Sequence, residues 1–233
     1  MEKLLIVGGT GDLGARLCER LSGFELHATF HKARPSQHIA HWHHLDLSKP
    51  GSFGDFARNF AKNGTRFNYA LFIAAATPNA NSFEPGVTFT NHLSPEKFSH
   101  YFMINAAAPV LIFESLFIEG ALCENSTVIF FSSKAGSTSL RGRMAHNIPG
   151  GNMIYRASKA ALNCCIKNMA FDLEKHPITL IALHPGWSKT ESGGKAADLS
   201  VTDAVEKIRN VILSPTSEYH GKFISSDYEE LDW

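Results

Sequence analysis

Several large classes of protein are argued against by what this sequence lacks. It has no net charge: 22 Lys and Arg balance 22 Asp and Glu, which argues against a nucleic-acid binder driven by bulk charge. No apolar run approaches the roughly 20 residues of a membrane-spanning helix, so no membrane partner is expected. Cysteine is sparse, with four residues in all. Cys18, Cys123, Cys164 and Cys165 match neither a zinc spacing nor a secreted disulfide framework, and reduced thiols are the expectation. Only four consecutive apolar residues precede Gly8, short of the apolar core of a secretory signal, so a cytoplasmic location is expected. Charged residues make up only 19%, but the 44% hydrophobic content excludes a disordered chain. Neither an internal repeat nor a linker composition divides the sequence, and one domain over residues 1–233 is expected.

What is present is alternation. Leu4–Val7 is a short apolar run that stops at glycine and reads as a strand buried on both faces. Leu13, Leu17 and Leu21 then recur at helical spacing from Asp12 to Ser22. Further strands are expected at Glu25–Phe30, Trp42–Leu47, Tyr69–Ala76, Thr127–Phe131, Ile178–Leu183 and Lys222–Ser225. Helices are expected at Ser52–Ala61, from the Ser94-Pro95 cap through about Phe117, at Asn152 to about Lys175, and at Val201–Leu213. Strands alternating with helices imply an α/β fold, a doubly wound parallel sheet with helices on both faces. Two polar stretches break the rhythm, residues 77–92 and 188–199. They read as substrate loops or as ordinary surface loops.

The chemistry-bearing residues cluster at the expected strand ends. Gly8, Gly9, Thr10, Gly11, Asp12, Leu13 and Gly14 follow the first strand and open a helix. Glycines there let the backbone turn tightly and approach a pyrophosphate, beside the free N–H groups of a helix N-terminus. A purely structural turn is the competing reading. The end of the second strand lacks the acid that holds the ribose of NAD. His31, Lys32 and Arg34 stand there instead, either to neutralise a 2′-phosphate, favouring NADP(H) over NAD(H), or as a solvated basic loop. Asp46, with Leu47, ends the third strand and reads as an adenine contact or a turn cap. Tyr155 and Lys159 are four apart and share a helix face. An ammonium there is expected to lower the phenol's pKa from its usual value of about 10, making it a usable acid or base. Ser132 and Ser133 end a central strand, where a hydroxyl can meet a substrate carbonyl. Asn105 is a polar residue on an apolar helix and needs a partner. His184-Pro185-Gly186-Trp187 breaks the sheet at the same edge, with Thr190 following.

Taken together, these motifs resemble the short-chain dehydrogenase/reductase family across nearly the whole chain. Ser-Lys-Ala-Gly-Ser at 133–137, Pro149-Gly150-Gly151, Tyr155 through Asn163, His184–Trp187 and the tail from Gly221 resemble its C-factor and sniffer-like carbonyl reductase branch. The resemblance implies a single-domain Rossmann fold of about seven strands in the order 3-2-1-4-5-6-7. It implies an NADP-dependent oxidoreductase passing a hydride between nicotinamide and a carbonyl or alcohol, with a small-molecule substrate. Tyr155 would be the general acid/base and Lys159 would lower its pKa and bind the nicotinamide ribose. Ser133, preferred over Ser132, would orient the carbonyl, and Asn105 would hold a water in the proton relay. Ala74, Ala75, Ala76, Pro185, Gly186, Trp187 and Thr190 would border the cofactor. A cofactor-binding signalling or regulatory protein with little turnover is the alternative, which the complete Asn105, Ser133, Tyr155 and Lys159 set argues against. The family also suggests a homodimer or homotetramer through the long helices. Small Ala157, Ala160, Ala161 and Cys164 suit that or packing on the sheet.

Three departures stand out. The glycines follow the GxxGxxG spacing of the extended subfamily rather than the GxxxGxG of most short members, and Val7 replaces the usual Thr. The Asn-Asn-Ala-Gly signature is replaced by Ile73-Ala74-Ala75-Ala76, where a backbone role can survive. The Ser133-to-Tyr155 gap is long, as in this branch. Outside the resemblance, His38, His41, His43 and His44 form a dense run. His43 and His44 would point to opposite faces of a strand, and spacing alone shows no ligand geometry, so no metal ligand is assigned among the site residues.

Overall fold

The computed structural model describes residues 1–77, 93–143, 153–214 and 217–233. Seven parallel strands form one sheet in the order β3-β2-β1-β4-β5-β6-β7. In chain order they are β1 (Lys3–Val7), β2 (Glu25–Phe30), β3 (His41–His44), β4 (Phe67–Phe72), β5 (Leu122–Phe131), β6 (Ile178–His184) and β7 (Lys222–Ser225). The helices are α1 (Asp12–Arg20), α2 (Phe53–Lys62), α3 (Pro95–Phe102), α4 (Ala108–Ile118), α5 (Met153–Asp172) and α6 (Val201–Leu213). The order reverses between β1 and β4, which opens a crevice at the carboxyl ends of those strands.

Two apolar layers hold the helices to the sheet. Strand alternation sends Leu5 and Val7 to one face, where they meet Phe56 and Phe60 of α2, Ile112 and Leu116 of α4, and Leu162 and Ile166 of α5. Leu4 and Ile6 go to the other, against Leu17 of α1 and Ile208 and Ile212 of α6. The buried residues of α2 are Phe53, Phe56, Ala57 and Phe60, the expected helical stripe. Ser94 caps α3 by accepting from Lys97 N at 3.2 Å, with Pro95 in the first turn.

Several boundaries differ from expectation. β4 stops at Phe72 instead of Ala76 because Ile73 N and Ala74 N both turn to Val7 O at 3.0 Å. β3 begins at His41 and stops at His44, since Asp46 folds into a turn by accepting from Ser48 N at 2.9 Å. The long helix expected after Ser94 is interrupted by a π turn at Met103–Ala107. Pro109, two residues beyond it, has no N–H to give the carbonyl of Asn105, its helical partner four residues back.

One helical segment bears on the membrane expectation. Residues Pro95–Ile118 form a continuous 24-residue helical segment of mean hydropathy 1.7, long and apolar enough by length and composition to cross a bilayer. Its apolarity has a different outlet here: Ala108, Ile112, Phe113 and Leu116 are buried against the sheet. Among the small residues of α5, Ala161 packs on the core while Cys164 is exposed. All four cysteines are unpaired, and burial pushes the Cys18 thiol up to about 12. The substrate loop expected at 77–92 lies outside the described residues from 78 onward, as do Pro149, Gly150 and Gly151.

Candidate active site

The glycine turn sits in the crevice, and its glycines divide by cause. A Cβ on Gly8, at φ +105°, would lie 2.7 Å from Ala74 N, and one on Gly14 would lie 2.1 Å from Gly8 O. A Cβ on Gly9 would strike Ala28 Cβ at 2.7 Å and the Trp42 ring at 2.9 Å. These three are dictated by packing. Gly11, the N-cap of α1, has an ordinary φ of −76°. Its Cβ would meet nothing nearer than Gly8 O at 3.9 Å. No protein atom excludes a side chain at Gly11, which borders an open cavity of about 580 Å³. Thr29, which the sequence reading did not single out, fastens the turn to β2. Its hydroxyl accepts from Gly8 N at 2.9 Å and its carbonyl from Gly9 N at 3.0 Å. The available signal was a lone hydroxyl near the carboxyl end of the strand.

The cavity walls gather most of the expected cofactor residues. Gly8, Thr10, Gly11, Asp12, Leu13, Gly14, His31, Asp46, Leu47, Ala74, Ala75, Ala76 and Thr190 all line it, joined by Thr29, His100 and Ile104. Asp12 would oppose an anion at the start of α1. Its Oδ2 is engaged by Glu191 N at 2.8 Å, which ties the loop after β6 to the glycine turn. Asp46 caps the turn, one of its two readings, and it also lines the cavity. Its Oδ1 accepts from Ser48 N and Ser48 Oγ at 2.9 and 2.6 Å, and these bonds hold its carboxyl down at about 2. Its Oδ2 lies 3.7 Å from His31 Nε2 and 3.5 Å from Lys49 Nζ.

Other expected contacts are not brought to the walls. Lys32 and Arg34 are exposed and do not line the cavity, because the chain turns outward after His31. Gly9 is spent on packing. Pro185, Gly186 and Trp187 do not line it either. Trp187 Nε1 donates to Gly193 O at 2.8 Å, and Lys189 and Leu199 close the base of the loop, with Lys189 N donating to Leu199 O at 2.9 Å.

The expected catalytic residues come from three elements: Asn105 from the π turn, Ser133 from the end of β5, and Tyr155 and Lys159 from α5. Asn105, fully buried, accepts from Ala76 N at 2.7 Å and donates to Ala76 O at 2.8 Å and Ser158 Oγ at 2.9 Å. Both amide hydrogens are therefore committed, and the side chain has none left for a water. Ser132 and Ser133 part ways at the end of β5. The Ser132 hydroxyl is buried against Asn163 Oδ1, while that of Ser133 accepts from Ala135 N at 3.1 Å and is hydrogen-bonded to the Tyr155 phenol. Gly136 lets this turn press onto α5, since a Cβ there would lie 2.8 Å from the carbonyl carbon of Lys159. Lys159 is 2% exposed, and its Nζ donates to Phe131 O at 2.6 Å.

The expected electrostatics of the Tyr155–Lys159 pair is not what the fold produces. Burial raises the Tyr155 pKa, with the Ser133 hydrogen bond and Arg156 pulling the other way. Burial also brings Lys159 down to about 7, so its ammonium is only partly populated at neutral pH and points to a backbone carbonyl. The spacing does bring the two residues to one helix face; it does not by itself lower the phenol's pKa.

The model of the family described as enoyl-(acyl carrier protein) reductase matches residues 19–212, most of the chain. The chain belongs to the short-chain dehydrogenase/reductase family. The match begins beyond the glycine turn of this short-chain dehydrogenase/reductase. The C-signal protein of Myxococcus xanthus is 34% identical over 135 residues, 57% of this chain and 76% of that protein. The fold is shared with the carbonyl reductase Sniffer of D. melanogaster, at 22% identity and a TM-score of 0.83 over 100% of both chains. It is also shared with an NADPH-bound carbonyl reductase from chicken fatty liver, at 21% identity and a TM-score of 0.80 over 100% of this chain and 99% of that one. This short-chain dehydrogenase/reductase is therefore an oxidoreductase by family, with carbonyl reductases among its structural neighbours.

Proposed function

We propose that this protein is an NADP(H)-dependent reductase or dehydrogenase of a small carbonyl or alcohol substrate. The observation that carries the reading is the Ser133–Tyr155 hydroxyl pair, one helical turn from buried Lys159, on the helix whose Ser158 is bonded through Asn105 to Ala76 in the wall of the cavity that Gly11 leaves open. The residues present fit a dinucleotide. The Gly11 gap and the N-terminus of α1 suit a pyrophosphate, Asp46 suits an adenine amino group, and Ala74–Ala76 offer a backbone wall. His31 at the rim, with Lys32 and Arg34 on the same turn, supports a 2′-phosphate. The NADPH found in the chicken relative supports the same preference.

A bound nicotinamide would supply the hydride chemistry; the protein supplies position and proton transfer. Tyr155 donates its phenolic proton to the carbonyl oxygen in reduction and takes it back in oxidation. Burial makes the free phenolate costly, which suits Tyr155 to hold its proton until charge develops on the substrate oxygen. Ser133 shares that oxygen through its hydroxyl and stabilises the developing charge. Lys159, held at about 7, can exchange a proton near neutrality and, when charged, favours the phenolate. Asn105 positions Ala76 through both amide groups. The water that family resemblance assigns to Asn105 fits its backbone carbonyl, which Pro109 leaves without the usual helical donor. The complete quartet supports an enzyme over a cofactor-binding regulator.

The test is Tyr155→Phe, assayed with NADPH and a broad panel of aldehydes and ketones. Turnover should fall about 100-fold or more, the scale of general acid catalysis, while NADPH affinity is retained. Wild-type turnover in the phenylalanine variant would overturn the assignment.

A further inference from the structure

The dense histidine run noted in the sequence splits in the fold, and half of it meets residues from another strand. His27 of β2 pairs in register with His41 of β3, and Thr29 with His43, so the three imidazoles share one face of the sheet edge. That face is the apolar layer under α2, where a buried parallel strand ordinarily carries Val, Ile or Leu. His27 is 7% exposed there, its ring edge-on to Phe60 and Phe67 with centroids at 5.6 and 5.2 Å. Its two nitrogens are occupied differently. Nδ1 meets His43 Nε2 at 3.0 Å, and Nε2 faces Glu25 Oε1 at 3.3 Å. His41 stacks obliquely on His27, with ring centroids 4.8 Å apart, and is exposed to solvent.

We propose that Glu25, His27 and His41 form a binding site for a divalent transition metal of the zinc type, which pins edge strand β3 to β2. One donor atom from each lies within 4.8 Å of the others. Shifts of less than about 1 Å per donor bring them to the zinc–ligand distances of about 2.0–2.2 Å. Two imidazole nitrogens and one carboxylate oxygen suit zinc, cobalt or nickel, with a fourth position open to water beside exposed His41. His43 is the outer partner: its Nε2 lies 3.0 Å from His27 Nδ1, and a metal that replaces the hydrogen of His27 Nε2 facing Glu25 leaves the Nδ1 hydrogen to donate to His43. The Phe60 and Phe67 edges give the site a dry wall. Lys3 is the competitor. Its Nζ lies 3.0 Å from Glu25 Oε1, and because both side chains are partly exposed it can swing away or leave Oε2 to the metal. The site lies towards the amino ends of β2 and β3, away from the carboxyl-edge cavity, so it braces structure and does not depend on the proposed chemistry.

The test uses the full chain stripped with EDTA, titrated with Zn²⁺ by calorimetry and with Co²⁺ by visible absorption. One metal ion per chain should bind, and zinc should raise the thermal midpoint. His41→Ala and Glu25→Gln should each weaken binding about tenfold or more and abolish the thermal shift. Both residues are at least partly exposed, so these variants keep their fold. His38→Ala and His44→Ala lie outside the cluster and should bind as wild type. The proposal fails if no metal binds, if binding survives His41→Ala and Glu25→Gln, or if it is lost with His38→Ala or His44→Ala.

Discussion

Replacing Gly11 with alanine separates ligand binding from folding. The new methyl group meets no protein atom closer than 3.9 Å, and the backbone at φ −76° accepts any residue. Alanine is a poorer N-cap than glycine, but it also reduces the entropy of the unfolded chain, and the two effects largely offset. Stability should change by less than about 1 kcal/mol, a shift in midpoint within about 4 °C for a chain of this length. The methyl group does occupy the space through which a pyrophosphate must approach the α1 N-terminus. Losing one charge-assisted hydrogen bond costs about 1.5–3 kcal/mol, or roughly ten- to a hundredfold in affinity. Gly14→Ala is the contrast: its Cβ would lie 2.1 Å from Gly8 O, so the turn itself must shift. Overpacking of that kind costs about 1–3 kcal/mol, visible without ligand. Thermal unfolding of the apoprotein and calorimetry with NADPH read the two effects separately. Wild-type NADPH affinity in Gly11→Ala would refute the reasoning, as would a fall in its apoprotein midpoint well beyond 4 °C.

Two further substitutions probe the same edge of the sheet. Asn105→Ala strands the part-buried Ala76 N–H and C=O and should cost about 1–3 kcal/mol, seen as a midpoint lowered by roughly 2–12 °C; an unchanged midpoint would mean that Ala76 finds other partners. Asp46 has its folded pKa depressed from 3.8 to about 2, so its stabilisation is fully present above about pH 4 and is lost as the pH falls through 2. Unfolding curves of wild type and Asp46→Asn should therefore differ at pH 5 and converge near pH 2, and a difference that persists at pH 2 would contradict the carboxylate's role.

Legibility in the sequence followed the range of the interactions. The strand–helix alternation, the Ser94-Pro95 cap and the bounds of α6 and β7 are set by local patterning, and the fold matches them. The strand order, carried by the family resemblance, matches as well. Ile73–Ala76 reads as strand because its residues are apolar; it leaves the sheet because its backbone is taken by Val7 and by Asn105, 29 positions on from Ala76. The π turn at Met103–Ala107 has no composition signal beyond Pro109. Tyr155 and Lys159 were found by spacing, but spacing does not say where an ammonium points, and Phe131 O claims it. The role of Thr29 becomes visible only when β1 and β2 are paired, and the Glu25–His27–His41 cluster only when β2 and β3 are.

The most direct test is a calorimetric titration of the folded protein with NADPH and, separately, NADH. One dinucleotide per chain should bind, as the open Gly11 predicts, and NADPH more tightly than NADH, as His31 at the cavity rim with Lys32 and Arg34 on the same turn predicts. A preference for NADH would contradict the role given to that basic turn. Failure of folded protein to bind either dinucleotide would contradict the oxidoreductase function itself.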